Sequence, residues 1–272
     1  MPIERVTDPD DPRVADYRDL NVVVTRRRLE GDRFFIAEGP TALTRLLTSG
    51  HRVRSVLVDE RKMERLRPTL DLSGGVDTTD VPVYATTRDV LNEIVGFDLH
   101  RGVVAAADRR PLRSVGELAT TSRRLVVLEG LNDPENVGAV ARSARAFGAD
   151  GLVLDPTCLD PYYRRAVRVS MGEILHLHVA RAARWPDDLD ALNTAGFETW
   201  ALSPRADAGD LWDADIPDRL ALVLGAEGPG LHPDTIDRCR RVVRIPIAPD
   251  VDSLNVGAAA AVALAVTARP GS

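Results

Sequence analysis

A chain of 272 residues, 44% hydrophobic and 28% charged, can bury one large core or two modest ones and is too apolar for extended disorder. Its formal charge of −6 does not fit a uniformly cationic nucleic-acid binder. The opening MPIERVTDPDDPR lacks the apolar run of a secretory signal, and the longest near-apolar stretch, Val256 to Ala268, is too short to span a bilayer. A cytoplasmic protein without a membrane partner is therefore expected. Cys158 and Cys239 stand without metal-ligand spacing around them, which points to reduced thiols and no metal.

Positive charge is almost all arginine, since Lys62 is the only lysine. It gathers at Arg26-Arg27-Arg28, Arg52/Arg54, Arg123-Arg124, Arg164-Arg165-Arg168 and Arg240-Arg241-Arg244. The planar guanidinium suits phosphate, so these clusters leave a local basic groove open despite the net acidity.

In chain order, a helix carrying Arg26 to Arg28 is read first. RFFIAEG then reads as a strand, and PTALTRLLTSG as a helix with Pro40 in its first turn and Gly50 just past its end. RVRSVLVD is a strand, ERKMERLRP a short helix stopped by Pro68, VPVYAT a strand, TRDVLNEIVG a helix and RGVVAAA a strand. This is a β/α unit over about residues 15–107 within a first domain of 1–107. Residues 108–123 are polar, hold a short helix and read as the linker to a second domain, 124–272.

That domain opens on RLVVLEGL, apolar enough for a strand buried on both faces. LNDPENVGAVARSARAFGAD is a helix, GLVLDP a strand, YYRRAVRVSMGEI a helical region and LHLHVAR a strand. A helix in WPDDLDALNTAG, strands at FETWALSP and LALVLGAEG, a helix in HPDTIDRCR and a strand at RVVRIPIA follow, before the final helix SLNVGAAAAVALAVTAR. Alternating strands and helices imply an α/β fold with a mostly parallel, two-sided sheet.

Three loops stand out. On the helix after RLVVLEGL, Val137, Val140, Ala141, Ala144 and Phe147 form one stripe, Arg142 lies nearly opposite beside Gly138, and Asn136 is placed to cap. Gly138, without a side chain, would let backbone or ligand approach. LGAEGPGL sets Gly225, Gly228 and Gly230 around Glu227 and Pro229 at a strand end, where open α/β sheets bind ligands. Its spacing is not that of a dinucleotide fingerprint. In IPIAPDVDSLNVG, Ser253 is placed to cap the last helix and Asn255 to lie in its first turn. His176 and His178 read as exposed strand residues rather than metal ligands, and Tyr162 and Tyr163 either stack on bases or pack.

NVGAVARSARAFGAD, LGAEGPGL and IPIAPDVDSLNVGAAAAVAL, in that order, resemble the three motifs of the SPOUT superfamily, SpoU (TrmH-like) branch, of RNA ribose methyltransferases. The resemblance covers about residues 124–268, and YYRRAVRVSMG resembles the basic segment between its first two motifs. Residues 15–107 resemble the ribosomal-protein-like substrate-binding domain that precedes the catalytic domain in many rRNA-modifying members.

The resemblance implies a C-terminal α/β knot, S-adenosyl-L-methionine as cofactor and a homodimer with its site completed near the subunit interface. It implies that Gly225, Ile245 and Leu254 hold the cofactor, and that Asn136, Arg142, Glu227, Ser253 and Asn255 are the functional polar positions. Arg165 and Arg168 become phosphate contacts, and Arg26, Arg27 and Arg28 are expected to add salt-dependent RNA affinity. The expected reaction is 2′-O-ribose methylation of RNA, with 23S rRNA favoured by the N-terminal domain. Rivals are a tRNA 2′-O-methyltransferase, a non-catalytic RNA-binding or ribosome-assembly factor, and a nucleotide-dependent oxidoreductase. Because arginine stays protonated, Arg142 is expected to bind phosphate and stabilise developing alkoxide rather than act as a free base.

Overall fold

A computed structural model describes residues 1–22, 26, 30–71 and 79–268. The chain forms two compact units, residues 1–110 with 162–176, and residues 111–161 with 177–272. Among the described residues no helix is long and apolar enough to cross a membrane.

The first unit contains β1 (Ile3–Arg5), β2 (Phe34–Glu38), α1 (Pro40–Thr48), β3 (Val53–Asp59), α2 (Met63–Leu70), β4 (Val83–Thr86), α3 (Arg88–Val95) and β5 (Val103–Asp108). Its sheet runs β1-β4-β3-β5-β2 and is mixed: β5 is antiparallel to both neighbours, while β3, β4 and β1 are parallel. Every residue of β2 is buried, and Gly39, at φ +98°, turns the chain into α1 with Pro40 in the first turn. Ala42, Leu43, Leu46 and Leu47 then face the core, as i, i+4 spacing dictates. Pro68 does not stop its helix; α2 runs on to Leu70, forgoing only the one backbone bond that Pro68 cannot donate.

The second unit begins earlier than expected. Residues 111–123 belong to it: Arg113 donates its N–H to the Val179 carbonyl (3.0 Å), and α4 (Val115–Thr121) carries a reciprocal Ser114–Glu117 capping box. Then come β6 (Arg124–Glu129), α5 (Pro134–Ala146) and β7 (Gly151–Leu154). Segment 162–176, bearing α6 (Arg164–Val169), groups with the first unit. β8 (His178–Arg181), α7 (Leu189–Thr194), β9 (Glu198–Leu202), β10 (Gly209–Asp210), β11 (Leu220–Gly225), α8 (Pro233–Arg238), β12 (Arg241–Arg244) and α9 (Val256–Thr267) complete it. The sheet is parallel throughout, in the order β10-β12-β9-β11-β6-β7-β8. Central β6 and β11 are buried along their apolar runs, as a sheet covered on both faces requires. Phe147 leaves the core stripe because α5 has already ended; it is 39% exposed.

Segment 162–176 is built into the first unit by several contacts. Tyr162 stacks on Phe35 with ring centroids 5.0 Å apart, so it is a packing residue. Arg164 and Arg168 both reach the buried Glu38 carboxylate, and Arg45 Nε donates to Glu173 (2.6 Å). A side chain at Gly172 would stand 3.1 Å from the Ala42 Cα, so the segment lies directly on α1. His176 is no strand residue; it ends a short 3-10 turn with its Nε2 3.0 Å from the Arg45 carbonyl. His178 does sit exposed on β8.

His51 packs edge-on against the stacked rings of Phe35 and Tyr162, only 2% exposed, and donates from Nδ1 to the Asp108 carbonyl (3.1 Å). Burial pushes its pKa from 6.5 down to about 4. The unfolded chain therefore binds the extra proton first, and stability present above pH 6.5 is lost as pH falls toward 4. The loss amounts to roughly 3 kcal/mol at most. Urea unfolding at pH 7.5 and 4.5 is expected to show a smaller difference for His51→Gln than for the wild type; equal differences would contradict this role.

Candidate functional site

The loops that follow β6, β11 and β12 all leave the carboxyl edge of the parallel sheet, where ligands bind in open α/β folds. Beside them lies a cavity of about 490 Å³. The glycine loop forms one wall with Gly225 and Glu227, and Ile245, Ser253, Leu254 and Asn255 form another. Leu202, Ser203 and Pro204, at the end of β9, complete the lining. Sequence reasoning missed these last residues; their only signal was a place at the end of a strand next to β11.

Asn255 ties the loops together. Its Oδ1 caps α9, accepting from the N–H of Gly257 (2.9 Å) and Ala258 (3.2 Å). Its Nδ2 donates to Asn136 Oδ1 (2.9 Å) and to Glu227 Oε1. Asn255 is thus the cap that was expected of Ser253, which instead is exposed at the cavity. Asn136 is not a cap either. Asp133 caps α5, accepting from Glu135 N–H (2.8 Å), and this leaves the Asn136 amide free to meet Asn255 from inside the helix, 8% exposed. Gly257 permits a close approach of α9 to α5: a side chain there would stand 3.1 Å from Ala139 Cβ.

The glycine loop folds tightly over its own start. A Cβ on Gly225 would lie 2.2 Å from the Gly230 carbonyl carbon and 2.4 Å from the Leu231 nitrogen, so no side chain fits. Gly228 and Gly230 take φ of +86° and +69°, and Gly230 N–H donates to the Ala226 carbonyl (3.0 Å). Glu129, paired in register with Gly225, fixes the far side. Its carboxylate accepts from Trp185 Nε1 (2.9 Å), Thr235 Oγ1 (2.9 Å) and His232 N–H (3.1 Å). This anchor was also missed; a lone acid closing an apolar strand was the only hint.

Arg142 is exposed on α5 and makes no hydrogen bond or ion pair among the described residues. Six residues past Asn136, it points about 240° around the helix and lies ~9 Å along it, outside the Asn136–Glu227–Asn255 cluster. The expected RNA arginines divide. Arg26 is 6% exposed, with Glu30 on Nε (2.9 Å) and Nη2 (2.6 Å) and the Asp16 and Arg18 carbonyls on Nη1, so it supports the fold and is not a phosphate contact. Arg27 and Arg28 lie outside the described residues. Arg168 is held 3.4 Å from Glu38, a carboxylate that competes with any phosphate, and Arg165 is exposed.

Asn255→Ala removes the α9 cap and leaves Asn136 and Glu227 without their shared donor. It is expected to destabilise the protein by about 1–2 kcal/mol in urea titration; an unchanged midpoint would contradict the geometry.

Comparison with known proteins agrees with this architecture. Residues 123–265 match the SpoU rRNA Methylase family. An uncharacterized tRNA/rRNA methyltransferase of Mycobacterium tuberculosis is 41% identical over 100% of this chain and 93% of its own length. The AdoMet-bound rRNA methyltransferase of Sinorhizobium meliloti superposes with a TM-score of 0.80 at 25% identity, covering 97% of both chains. A structure described as an RNA 2′-O ribose methyltransferase gives 0.74 at 26% identity, over 97% of this chain and 98% of that one. With more than half of its length matched and a full-length relative at this identity, the chain belongs to the SpoU rRNA methylase family.

Proposed function

We propose that the protein is an S-adenosyl-L-methionine-dependent 2′-O-ribose methyltransferase acting on 23S rRNA. The observation that carries this reading is the Asn255 side chain, which joins Asn136 to Glu227 while Asn255 and Glu227 line one cavity. The kinship with an rRNA methyltransferase that binds AdoMet and with a ribose 2′-O enzyme supports cofactor and bond type. A tRNA substrate is the second reading, because the curated relative's name covers both RNA classes. Either RNA agrees with a cytoplasmic location.

The cavity suits the cofactor. Its volume falls within the range of small-molecule sites. Gly225, held free of a side chain, lets the glycine loop close on its own start to form one wall, and Ile245 and Leu254 offer apolar contact. When bound, the cofactor supplies a methyl group already activated on a sulfonium. The protein must then orient a ribose hydroxyl in line with that methyl and manage the proton of a poor acid. Asn136 and Asn255 are neutral amides that set orientation, and the Glu227 carboxylate complements positive charge near the glycine loop. Ser253, exposed at the cavity, is available to the substrate. The Arg142 guanidinium binds phosphate next to the reacting sugar, stabilising the developing alkoxide.

The same reading includes a homodimer and a knotted C-terminus. α9 is apolar all round, yet Ala258 and Ala265 are exposed. Trp212, 51% exposed, sits on a short turn that abuts α9, and exposed Phe147 lines a separate small pocket with Leu264 and Thr267 of α9. A second copy would cover these groups and bring its own Arg142 helix to the site. The return of the chain from β12, two strands removed from β11, to α9 packed on α5 supports threading through the loops.

The test is incubation with methyl-labelled cofactor and deproteinised 23S rRNA, followed by digestion to nucleosides. Label in 2′-O-methyl nucleosides is the expected result, and label on bases or none would refute it. Arg142→Ala is expected to fold and bind cofactor normally while losing nearly all transfer; substantial residual turnover would remove Arg142 from the chemistry.

A further inference from the structure

In the first unit, exposed cations are mostly matched to acids. Arg13 pairs with Asp11 and Glu4, Arg52 and Arg54 with Asp108, Arg61 with Asp59, and Arg88 with Asp98. Arg5 and Arg67 approach Glu60 and Glu64. These pairs occupy Asp59, Glu60 and Glu64. Lys62, Arg65 and Arg101 make no ion pair among the described residues.

The three lie at one end of the sheet. Gly39 N–H donates to the Val103 carbonyl (3.0 Å) and Asp59 N–H to the Gly102 carbonyl (2.9 Å), so the end of β2, the end of β3 and the start of β5 stand side by side. Arg101 is laid across Gly39: a Cβ there would lie 2.7 Å from its Cδ and 3.0 Å from its Nη1. Lys62 is laid across Gly102 in the same way, its Cδ 2.8 Å and its Nζ 3.1 Å from that glycine's would-be Cβ, with its ammonium on the His100 carbonyl. Both glycines have positive φ, +98° and +65°, which keeps side chains out of these positions. Arg65 follows on α2, exposed, about one helical turn beyond Lys62.

We propose that Lys62, Arg65 and Arg101 form the surface of the first unit that seats the phosphate backbone of the RNA substrate. The inference rests on the RNA methyltransferase reading above. Lys62 and Arg101, already bedded on glycine, lose little side-chain freedom on binding, and none of the three cations has to break an ion pair; Asp59, the carboxylate whose charge Lys62 feels, is itself bonded to Arg61. Guanidinium and ammonium groups aimed at phosphate fix position along a strand and leave sequence to other contacts. The surface takes the place of Arg26, which the fold consumes.

The test is a Lys62→Gln, Arg65→Gln, Arg101→Gln variant binding labelled, deproteinised 23S rRNA across a potassium chloride series. Its affinity at 0.1 M salt is expected to fall at least tenfold, and its log–log salt slope to become shallower by about two. A variant of equal charge change, Arg5→Gln, Arg13→Gln, Arg52→Gln, removes only acid-matched arginines and is expected to bind nearly as the wild type does. Unchanged affinity and slope in the first variant, or equal losses in both, overturn the surface. Should the first variant melt early, exposed Arg101→Glu alone gives the same readout, with the same expected fall. Calorimetry with S-adenosylmethionine separates the levels of failure. Wild type that binds cofactor but not rRNA refutes the surface, and wild type that binds neither refutes the reading beneath it.

Discussion

One amide side chain governs the site. Asn255 spends its oxygen on two N–H groups at the start of α9 and its nitrogen on Asn136 and Glu227. Three loops far apart in sequence are thereby held by four hydrogen bonds at a single residue. In a partly buried setting such a network rigidifies the groups that it joins. The arrangement also needs α9 to come close to α5, which Gly257 against Ala139 permits.

The parallel sheet makes that convergence possible. With β9, β11 and β6 adjacent and running the same way, their carboxyl ends deliver the β9 terminus, the glycine loop and the α5 entry to one edge. Gly225 lets the glycine loop close over itself, and Glu129 pins the loop from the neighbouring strand with three donors. The result is a cavity lined by the glycine loop and by apolar side chains such as Leu202, Ile245 and Leu254, beside a small polar cluster. Such a site can hold a flexible charged ligand and present one of its carbons to an incoming nucleophile.

Most of the architecture was legible in the sequence because apolar periodicity reports burial directly. The strands at RLVVLE and LALVLG and the helix before Gly148 follow from it. Two very short strands, Ile3–Arg5 and Gly209–Asp210, carry too few residues to show a pattern. Caps were misplaced at both ends of the site. Asp133, Asn136, Ser253 and Asn255 are all good caps by residue type, and only the backbone angles of one residue choose among them. The arginine clusters misled more deeply. Sequence displays charge but not its distant partner, and the acid facing Arg164 and Arg168 is Glu38, some 126 residues away. Segment 162–176 was for the same reason assigned to the methyltransferase domain, whereas its contacts belong to the first unit. The family motif is thus not self-contained: part of its matched stretch completes the other core.

What remains is whether the walls gathered by Asn255 hold a methyl donor. Calorimetric titration of S-adenosylmethionine into the wild type and into Gly225→Ala tests this most directly. Saturable binding by the wild type is expected, with affinity falling at least tenfold in the variant while its circular dichroism is unchanged, since the added methyl would collide with the backbone at Gly230 and Leu231. Equal affinity in both proteins, or no binding by the wild type, would contradict the account.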